Sequence, residues 1–307
     1  MRAPLYPPPL KKGDTVGIIA PAGQLQDKSR FMQGVAILQE MGFAVKYPPQ
    51  LWPGPGYLAD SDDKRGFEFN HLVEDPEING LICLRGGYGC LRMLEKIDLD
   101  LLTRNPKIVA GFSDITLLQN FLHQQIGLVS LHGPVVTSLA GATEDSLAVF
   151  YDCLTSIKPP RMVYNQVEVL RHGATVTAPL IGGNLASLVT LLGTPYDFSW
   201  DDKIVFLEDI NEPAYKVDRM LTQLYLARKL EKIAGLILGD FSTSACCNEI
   251  EKIRYRNAIW DRILELCPVH SIPVWGDFPS GHCARNLTFP LGAMAEMDSG
   301  VRSLFFQ

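Results

Sequence analysis

The sequence predicts an α/β protein of two domains, the first built on a parallel sheet and the second mixing strands with helices. In the first half, short apolar runs alternate with segments of helical periodicity, which is typical of βαβ units. From about residue 143 this alternation gives way to a polar, proline-broken stretch, and no βαβ rhythm follows it. The 307 residues suffice for two domains of ordinary size.

The elements of the first half follow one another in a regular order. Helical spacing predicts a helix over 28–41 that ends at Gly42, and a second helix that Asp60 caps and that runs to about residue 73. Short apolar runs predict strands at 15–20, 44–47, 80–84, 108–111 and 128–131. Right-handed crossovers between these strands would give one parallel sheet.

The second half carries fewer signals. Apolar runs predict strands at 203–208 and 235–239, and Pro213 opens a helix that extends to about residue 228. The tail over 286–307 is predicted to form short strands with turns. The predicted organisation is an amino-terminal domain at 1–142, an interdomain connection at 143–178 and a carboxy-terminal domain at 179–307.

Charge and composition exclude several classes of function. The net charge is −6, and no run of Lys or Arg exceeds two residues, so a nucleic-acid surface is not expected. No stretch approaches the about 18 apolar residues of a membrane span, and the amino terminus lacks the apolar core of a signal peptide. Seven scattered cysteines suit free thiols in a reducing compartment. We therefore expect a cytoplasmic protein.

Ser113 lies between a predicted strand and a predicted helix in the segment KIVAGFSDITLLQ. A serine in this position is commonly an N-cap. It is also where a nucleophile would lie, at the carboxyl end of a parallel strand with helix amides available to an oxyanion. The nucleophile-elbow pattern G-x-S-x-G is half met, because the second glycine is absent. Spacing alone leaves both roles open.

A glycine-rich turn, LRGGYGCLRML, follows the preceding predicted strand. Its amides can point at a negatively charged oxygen, although a tight turn would need the same glycines. The turn matches neither of the common nucleotide-binding glycine motifs, so no nucleotide cofactor is expected.

Acids and a histidine occupy further turns. Glu208, Asp209 and Glu212 follow a strand, where they either cap the next helix or orient a histidine. His282 lies in a turn of small residues, and His132, at a strand end, is its nearest rival. The chain order serine, glutamate, histidine permits a system in which Glu208 orients His282 and His282 takes the proton of Ser113.

Metal chemistry has weak support in the sequence. Asp277, His282 and Cys283 are the side chains that a metal ion would use, but they lack the spacing of known metal motifs. No metal ion is therefore expected.

The chain resembles the LD-carboxypeptidases, a family of serine peptidases, in stretches that cover most of its length. The resemblance implies a Rossmann-like layered first domain and a β-rich α/β second domain. It implies the nucleophile Ser113, the glutamate Glu208, the histidine His282, and an oxyanion hole made by the backbone amides of Gly87 and Asp114. The matching stretches are GDTVGIIAPAG, YLADSDDKRGFEFNHLVEDPEINGLICLRGGYGCLRML, IVAGFSDITLL, LHGPV, IGGNLASLVTLLGTP, FLEDINEPAYKVDRMLTQLYLA and GHCARNLTFPLGA.

The resemblance also implies a reaction. Members of the family cleave the amide between an L-configured centre and a terminal D-amino acid, which releases D-alanine from a small murein peptide in the cytoplasm without a cofactor, and a homodimer is the family expectation. A free terminal carboxylate needs a partner, and Arg85 and Arg285 are candidates, as is Asn184 more weakly. Each arginine suits a structural salt bridge equally well.

Two other functions stay open. Relatives that resemble microcin immunity proteins cleave a peptide–nucleotide amide and would need an aromatic platform, for which Trp52, Trp200 and Trp260 are candidates. The second alternative is a non-catalytic protein that binds an anionic ligand. The sequence also leaves open whether diaminopimelate, lysine or another residue precedes the scissile bond.

Overall fold

The computed structural model describes residues 3–157, 162–267 and 272–307, which fall into two compact units. The first unit comprises Met1–Pro159 and Ala284–Gly292, and the second comprises Pro160–Cys283 and Ala293–Gln307. The two units divide the chain differently from the predicted domains: elements of the predicted connection occur in both units, and 284–292 joins the first unit. Positions 158–161 of the predicted connection lie outside the described residues.

The described residues form strands and helices that alternate along much of the chain. The strands are β1 (Thr15–Ile19), β2 (Ala44–Lys46), β3 (Ile78–Cys83), β4 (Ile108–Gly111), β5 (Ser130–His132), β6 (Met162–Val163), β7 (Glu168–Arg171), β8 (Val176–Asn184), β9 (Ile204–Ile210), β10 (Gly235–Ser242), β11 (Val274–Gly276), β12 (Phe289–Leu291), β13 (Met294–Asp298) and β14 (Ser303–Phe306). The helices are α1 (Lys28–Glu40), α2 (Asp62–Glu74), α3 (Cys90–Met93), α4 (Leu99–Arg104), α5 (Ile115–Ile126), α6 (Val136–Leu139), α7 (Glu144–Ser156), α8 (Leu185–Val189), α9 (Ala214–Leu226) and α10 (Glu249–Leu266), with a 3₁₀ turn at Leu94–Lys96.

The first unit is built on a sheet whose described strands have the order β12-β5-β4-β3-β1-β2. Strands β1 to β5 are parallel, which confirms the predicted parallel sheet, and their bounds differ from the predicted ones by at most two residues. Strand β12 adds an antiparallel edge beside β5. The order 2-1-3-4-5 changes direction between β1 and β3, and the carboxyl ends at such a switch point form the crevice in which open α/β sheets bind ligands.

Helix α2 begins one residue later than predicted. Ser61 is its N-cap, with its hydroxyl accepting a hydrogen bond from the backbone N–H of Lys64 at 3.4 Å. Asp60 instead accepts a hydrogen bond from the backbone N–H of Ser61 at 2.7 Å. Both residues are good caps, so residue type alone does not decide between neighbouring positions.

The second unit has a βαβ rhythm that the sequence analysis did not find. Its sheet has the order β6-β14-β13-β8-β9-β10-β11-β7 within the described residues. The four central strands β8 to β11 are parallel, with α8, α9 and α10 between them, and antiparallel strands complete both edges. The predicted β-rich α/β character is confirmed, and the prediction that the second half has no βαβ rhythm was wrong.

The first repeat of this rhythm is hard to recognise in the sequence because β8 contains proline and glycine. Pro179 and the pair Gly182–Gly183 make the segment resemble a loop. A Cβ at Gly182 would lie 2.0 Å from the carbonyl oxygen of Phe206 on β9, so the close approach of the two strands requires glycine there. Helix α8 has only five residues and adds little helical periodicity.

Replacement of Gly34 by alanine should destabilise the first unit. Gly34 is buried in α1 against α6, where a Cβ would lie 2.1 Å from the carbonyl oxygen of Val136. Backbone must therefore move, and we expect Gly34→Ala to lower the free energy of unfolding by about 1–3 kcal/mol. Gly141→Ala is the matched control, because the nearest atom to its Cβ lies 3.9 Å away. Urea unfolding of both variants checks this, and equal midpoints would contradict it.

Candidate active site

Ser113 occupies a strained turn between β4 and α5. Its φ is +67°, a backbone conformation that residues other than glycine seldom adopt. The N-cap position of α5 belongs to Asp114, whose side chain makes no capping hydrogen bond, and the carbonyl of Ser113 accepts from the N–H of Thr116 at 2.9 Å. The structure therefore does not use Ser113 as the N-cap. It gives Ser113 the strained strand–turn–helix position of a nucleophile elbow.

The glycine turn after β3 packs directly against this serine. A Cβ at Gly86 would lie 2.8 Å from Ser113 Oγ, so the turn can approach the hydroxyl only without a side chain. Gly87 has a φ of +119°. Among the described residues, no group accepts a hydrogen bond from the backbone N–H of Gly87 or of Asp114. The amide of Gly87 belongs to the glycine turn and the amide of Asp114 to the turn between β4 and α5, and these two turns meet at Ser113.

The Asp114 side chain joins the two turns. Its Oδ2 accepts a hydrogen bond at 2.8 Å from the backbone N–H of Cys90, where α3 begins. Asp114 is buried, and burial raises the pKa of its carboxyl group. This hydrogen bond fixes the end of the glycine turn relative to Ser113.

Arg65 fixes the same turn from the other side. Its fully buried guanidinium donates to the carbonyl of Gly89 at 2.9 Å and to the carbonyl of Pro21 after β1. It also donates to the carbonyl of Asp60 at 3.1 Å and pairs with Asp62 at 2.5 Å. The sequence analysis missed Arg65, because the segment DKRGFEFNHL looks like an ordinary solvated helix face.

Arg85 lines a cavity of about 400 Å³ beside the turn, at the switch point between β1 and β3. The cavity is also lined by Gly23, Gln26, Tyr57, Gly87 and Tyr88. The guanidinium of Arg85 donates to the carbonyl of Gln24 at 3.2 Å. It has no carboxylate partner among the described residues, and partial burial lowers its pKa. An uncompensated arginine in a cavity is suited to an anionic ligand.

In the second unit, the structure brings Glu208 and His282 together. Glu208 Oε2 lies 2.6 Å from His282 Nδ1, and the carboxylate is fully buried at the end of β9. Gly281 has a φ of +121°, and a Cβ there would lie 2.9 Å from Glu208 Oε2. Position 281 must therefore be glycine for His282 to come close enough to contact Glu208.

The surroundings of His282 favour its charged form. Burial alone would lower the pKa of the imidazole. The charge and hydrogen bond of Glu208, with the charges of Asp209 and Asp240, outweigh burial and raise the pKa above its ordinary value. Burial and the charge of Glu208 raise the pKa of Asp209 itself to about 6. A histidine held in one orientation by a buried carboxylate is equipped to take and return a proton.

The other predicted substrate contacts already have partners within the fold. Arg285 pairs with Asp145 at 2.5 Å. Asn184 is the N-cap of α8, with its Oδ1 accepting a hydrogen bond from the N–H of Ser187 at 3.0 Å. The rival histidine, His132, is fully buried and stacks on Phe289 with 4.9 Å between ring centres. These contacts favour the structural interpretation of each residue.

The three tryptophans considered as a nucleobase platform are buried: Trp52, Trp200 and Trp260 are 6%, 2% and 8% exposed. Within the described ranges, no three His, Cys, Asp or Glu side chains come together as metal ligands. None of the described helices is both long and apolar enough to cross a membrane.

Comparisons with known proteins identify the family. The family model "LD-carboxypeptidase N-terminal domain" matches residues 16–133, and "LD-carboxypeptidase C-terminal domain" matches residues 177–297. The chain is 32% identical to the probable murein peptide carboxypeptidase of Bacillus subtilis, over 97% of this chain and 92% of the relative. It is 27% identical to the microcin C7 self-immunity protein MccF of Escherichia coli, over 96% of this chain and 93% of that protein.

A solved structure extends the similarity to three dimensions. The muramoyltetrapeptide carboxypeptidase of Oxalobacter formigenes superposes with a TM-score of 0.78 at 28% identity, over 95% of this chain and 97% of that one. Both domain models of the family match this chain in order and together span most of it. The chain therefore belongs to the LD-carboxypeptidase family of peptidases.

Proposed function

We propose that this protein is a serine carboxypeptidase that removes a terminal D-amino acid from an L-configured centre of a murein peptide. The observation that carries the proposal is Ser113 at positive φ, near the backbone amides of Gly87 and Asp114, from which no group in the described part of the chain accepts a hydrogen bond. The murein carboxypeptidases among the relatives support the choice of substrate.

The proposed mechanism uses Ser113, His282 and Glu208 as a triad. Because Nδ1 of His282 bonds Glu208, Nε2 is the nitrogen that would take the proton of the Ser113 hydroxyl as Oγ attacks the carbonyl carbon. The oxyanion would accept hydrogen bonds from Gly87 and Asp114. His282 would return the proton to the leaving D-amino acid, and water would hydrolyse the acyl-enzyme by the same route. General-base help contributes about 10²–10⁴-fold, and each oxyanion donor about 10²–10³-fold.

Arg85 is the proposed partner of the terminal carboxylate. In the substrate, that carboxylate is separated from the scissile carbonyl by one residue, and Arg85 shares a cavity with Gly87, the proposed oxyanion donor. Arg285 is a poorer choice because Asp145 already neutralises it. On this proposal the enzyme acts in the cytoplasm on recycled murein peptides, as a homodimer and without a cofactor.

A peptide–nucleotide amide is the second candidate substrate, supported by the similarity to the microcin immunity protein. The burial of the three tryptophans argues against a base stacked on one of them. The exposed rings of Tyr57 and Tyr88 remain as aromatic surface in the cavity with Arg85.

Mass spectrometry of peptide products tests the proposed reaction. The murein tetrapeptide and its all-L isomer are incubated with the protein and with Ser113→Ala. We expect the wild type, but not Ser113→Ala, to release D-alanine. The release should occur from the D-terminated peptide and not from the all-L isomer. Release from neither peptide would move the assignment to a peptide–nucleotide substrate. Equal release by wild type and Ser113→Ala would overturn the role of the serine.

The pH dependence of turnover should report the titration of His282. A general base must be neutral, so kcat is low below its pKa and rises as the proton is lost. Because Glu208 raises the pKa of His282, the midpoint of this rise should lie above about 6.5. Glu208→Gln removes that charge, so the midpoint should move to lower pH while kcat falls by about 10²–10⁴-fold. A pH-independent rate limited by chemistry would count against His282 as the base.

Arg85→Met should weaken recognition of the terminal carboxylate. The loss of a hydrogen bond to a charged group corresponds to about a 10- to 100-fold fall in kcat/KM. Arg285→Met is the matched control, since its surface salt bridge contributes little. Steady-state kinetics with the free acid and with the D-alanine amide measure the effect. If Arg85→Met still discriminates between acid and amide as the wild type does, another group binds the carboxylate.

A further inference from the structure

The walls of the cavity beside Arg85 are joined to one another by backbone hydrogen bonds. The N–H of Gly23 donates to the carbonyl of Gly86 at 3.3 Å, and the N–H of Gln24 donates to the carbonyl of Tyr57 at 3.2 Å. These bonds connect the turn after β1 to the glycine turn and to the loop that precedes α2. The cavity of about 400 Å³ is therefore formed by the fold itself, and its size is that of a small-molecule site.

Two exposed tyrosine rings, those of Tyr57 and Tyr88, form one wall of this cavity, here called the aromatic wall. The side chains are 62% and 51% exposed, and their ring centres lie 5.7 Å apart with the ring planes at 64°. Within the described ranges, neither ring packs against a further aromatic ring. The aromatic wall thus presents apolar surface to the cavity that the packing of the chain does not use.

The proposed function places the terminal D-amino acid in the same cavity. Its carboxylate pairs with Arg85, and the carbonyl oxygen on the other side of its amide bond accepts from Gly87. Apart from Arg85 and two glycines, the cavity is lined by Gln26 and the aromatic wall, so these are the side chains available to the substituent of the D-amino acid. The methyl group of D-alanine is too small to cover two tyrosine rings. A larger apolar substituent would remove more of their surface from water.

We propose that the cavity accepts terminal D-amino acids with aromatic side chains, and that the aromatic wall makes the enzyme prefer them to D-alanine. The substrate ring packs against Tyr57 and Tyr88 in the edge-to-face or offset arrangements that aromatic rings favour, while the carboxylate stays on Arg85. The reaction is the same hydrolysis with a different leaving amino acid. This inference rests on the proposed function, because it takes Arg85 and Gly87 to hold the two ends of the D-amino acid.

The test compares tetrapeptides that differ only in the terminal residue: D-alanine, D-phenylalanine and L-phenylalanine. We expect the wild type to cleave the D-phenylalanine peptide with a kcat/KM about 10-fold above that of the D-alanine peptide, and to leave the L-phenylalanine peptide intact. Tyr57→Ala and Tyr88→Ala should each bring this ratio close to unity. Tyr57→Phe and Tyr88→Phe keep the rings and should keep the ratio.

Tyr215→Ala is the matched control. Tyr215 is 63% exposed, lies in the second unit and does not line this cavity, so its loss should leave the ratio unchanged. A wild-type kcat/KM for the D-phenylalanine peptide at or below that for the D-alanine peptide would overturn the inference while the proposed function stands. An unchanged ratio in both Tyr→Ala variants would equally overturn it, because the preference would then arise elsewhere.

Calorimetry with free D-phenylalanine and free D-alanine separates this inference from failure of the proposed function. If none of the peptides is cleaved, tighter binding of D-phenylalanine than of D-alanine, lost in Tyr88→Ala and retained in Tyr215→Ala, still supports the aromatic wall as a binding surface. Equal affinity of the wild type for the two amino acids overturns it.

Discussion

The first unit depends on the close approach of two backbone turns at the carboxyl ends of β3 and β4. Gly86 lies so near Ser113 that a side chain on the glycine would overlap the hydroxyl. Such contact leaves little freedom to either turn, and the positive φ of Ser113 adds strain of about 1–3 kcal/mol. The surrounding structure has to supply this free energy. The two buried charged groups at the turns, Arg65 and Asp114, contribute by hydrogen-bonding the carbonyl of Gly89 and the N–H of Cys90, the two sides of the one peptide group that ends the glycine turn.

In the second unit, the comparable constraint is the burial of a single carboxylate. Glu208 is completely excluded from solvent, and a buried carboxylate is costly unless it is hydrogen-bonded. His282 supplies the bond, and Gly281 lets the chain pass close enough to make it. Each partner therefore fixes the other, and the orientation of the imidazole follows from the burial of Glu208. The preorganisation that acid–base chemistry needs is present in this pair before any ligand binds.

The sequence predicted the elements of the first unit closely because its strands are uninterrupted apolar runs, as in β4. It failed where strands carry residues required by close packing, as with Gly182 on β8, whose neighbour Phe206 lies far along the chain. The backbone strain at Ser113 could not be predicted from the sequence either. The second glycine of the elbow motif is replaced by Ile115, whose side chain lies 3.0 Å from the position of a Cβ on Gly111. A Cβ on Gly111 would also lie 3.1 Å from the Cβ of Cys83 on the neighbouring strand, a contact that the sequence around Gly111 does not reveal.

The arginines show most clearly why residue type does not decide function. Arg85 and Arg285 were equivalent candidates in the sequence, since both flank predicted catalytic turns. Only the folded chain shows that Asp145 neutralises Arg285, whereas Arg85 has no carboxylate partner among the described residues. Arg65 was invisible in the sequence because its partners are mostly backbone carbonyls, which every residue has. The role of a cation depends on which of its donors the fold has already satisfied, because only a donor without a partner is available to an anionic ligand.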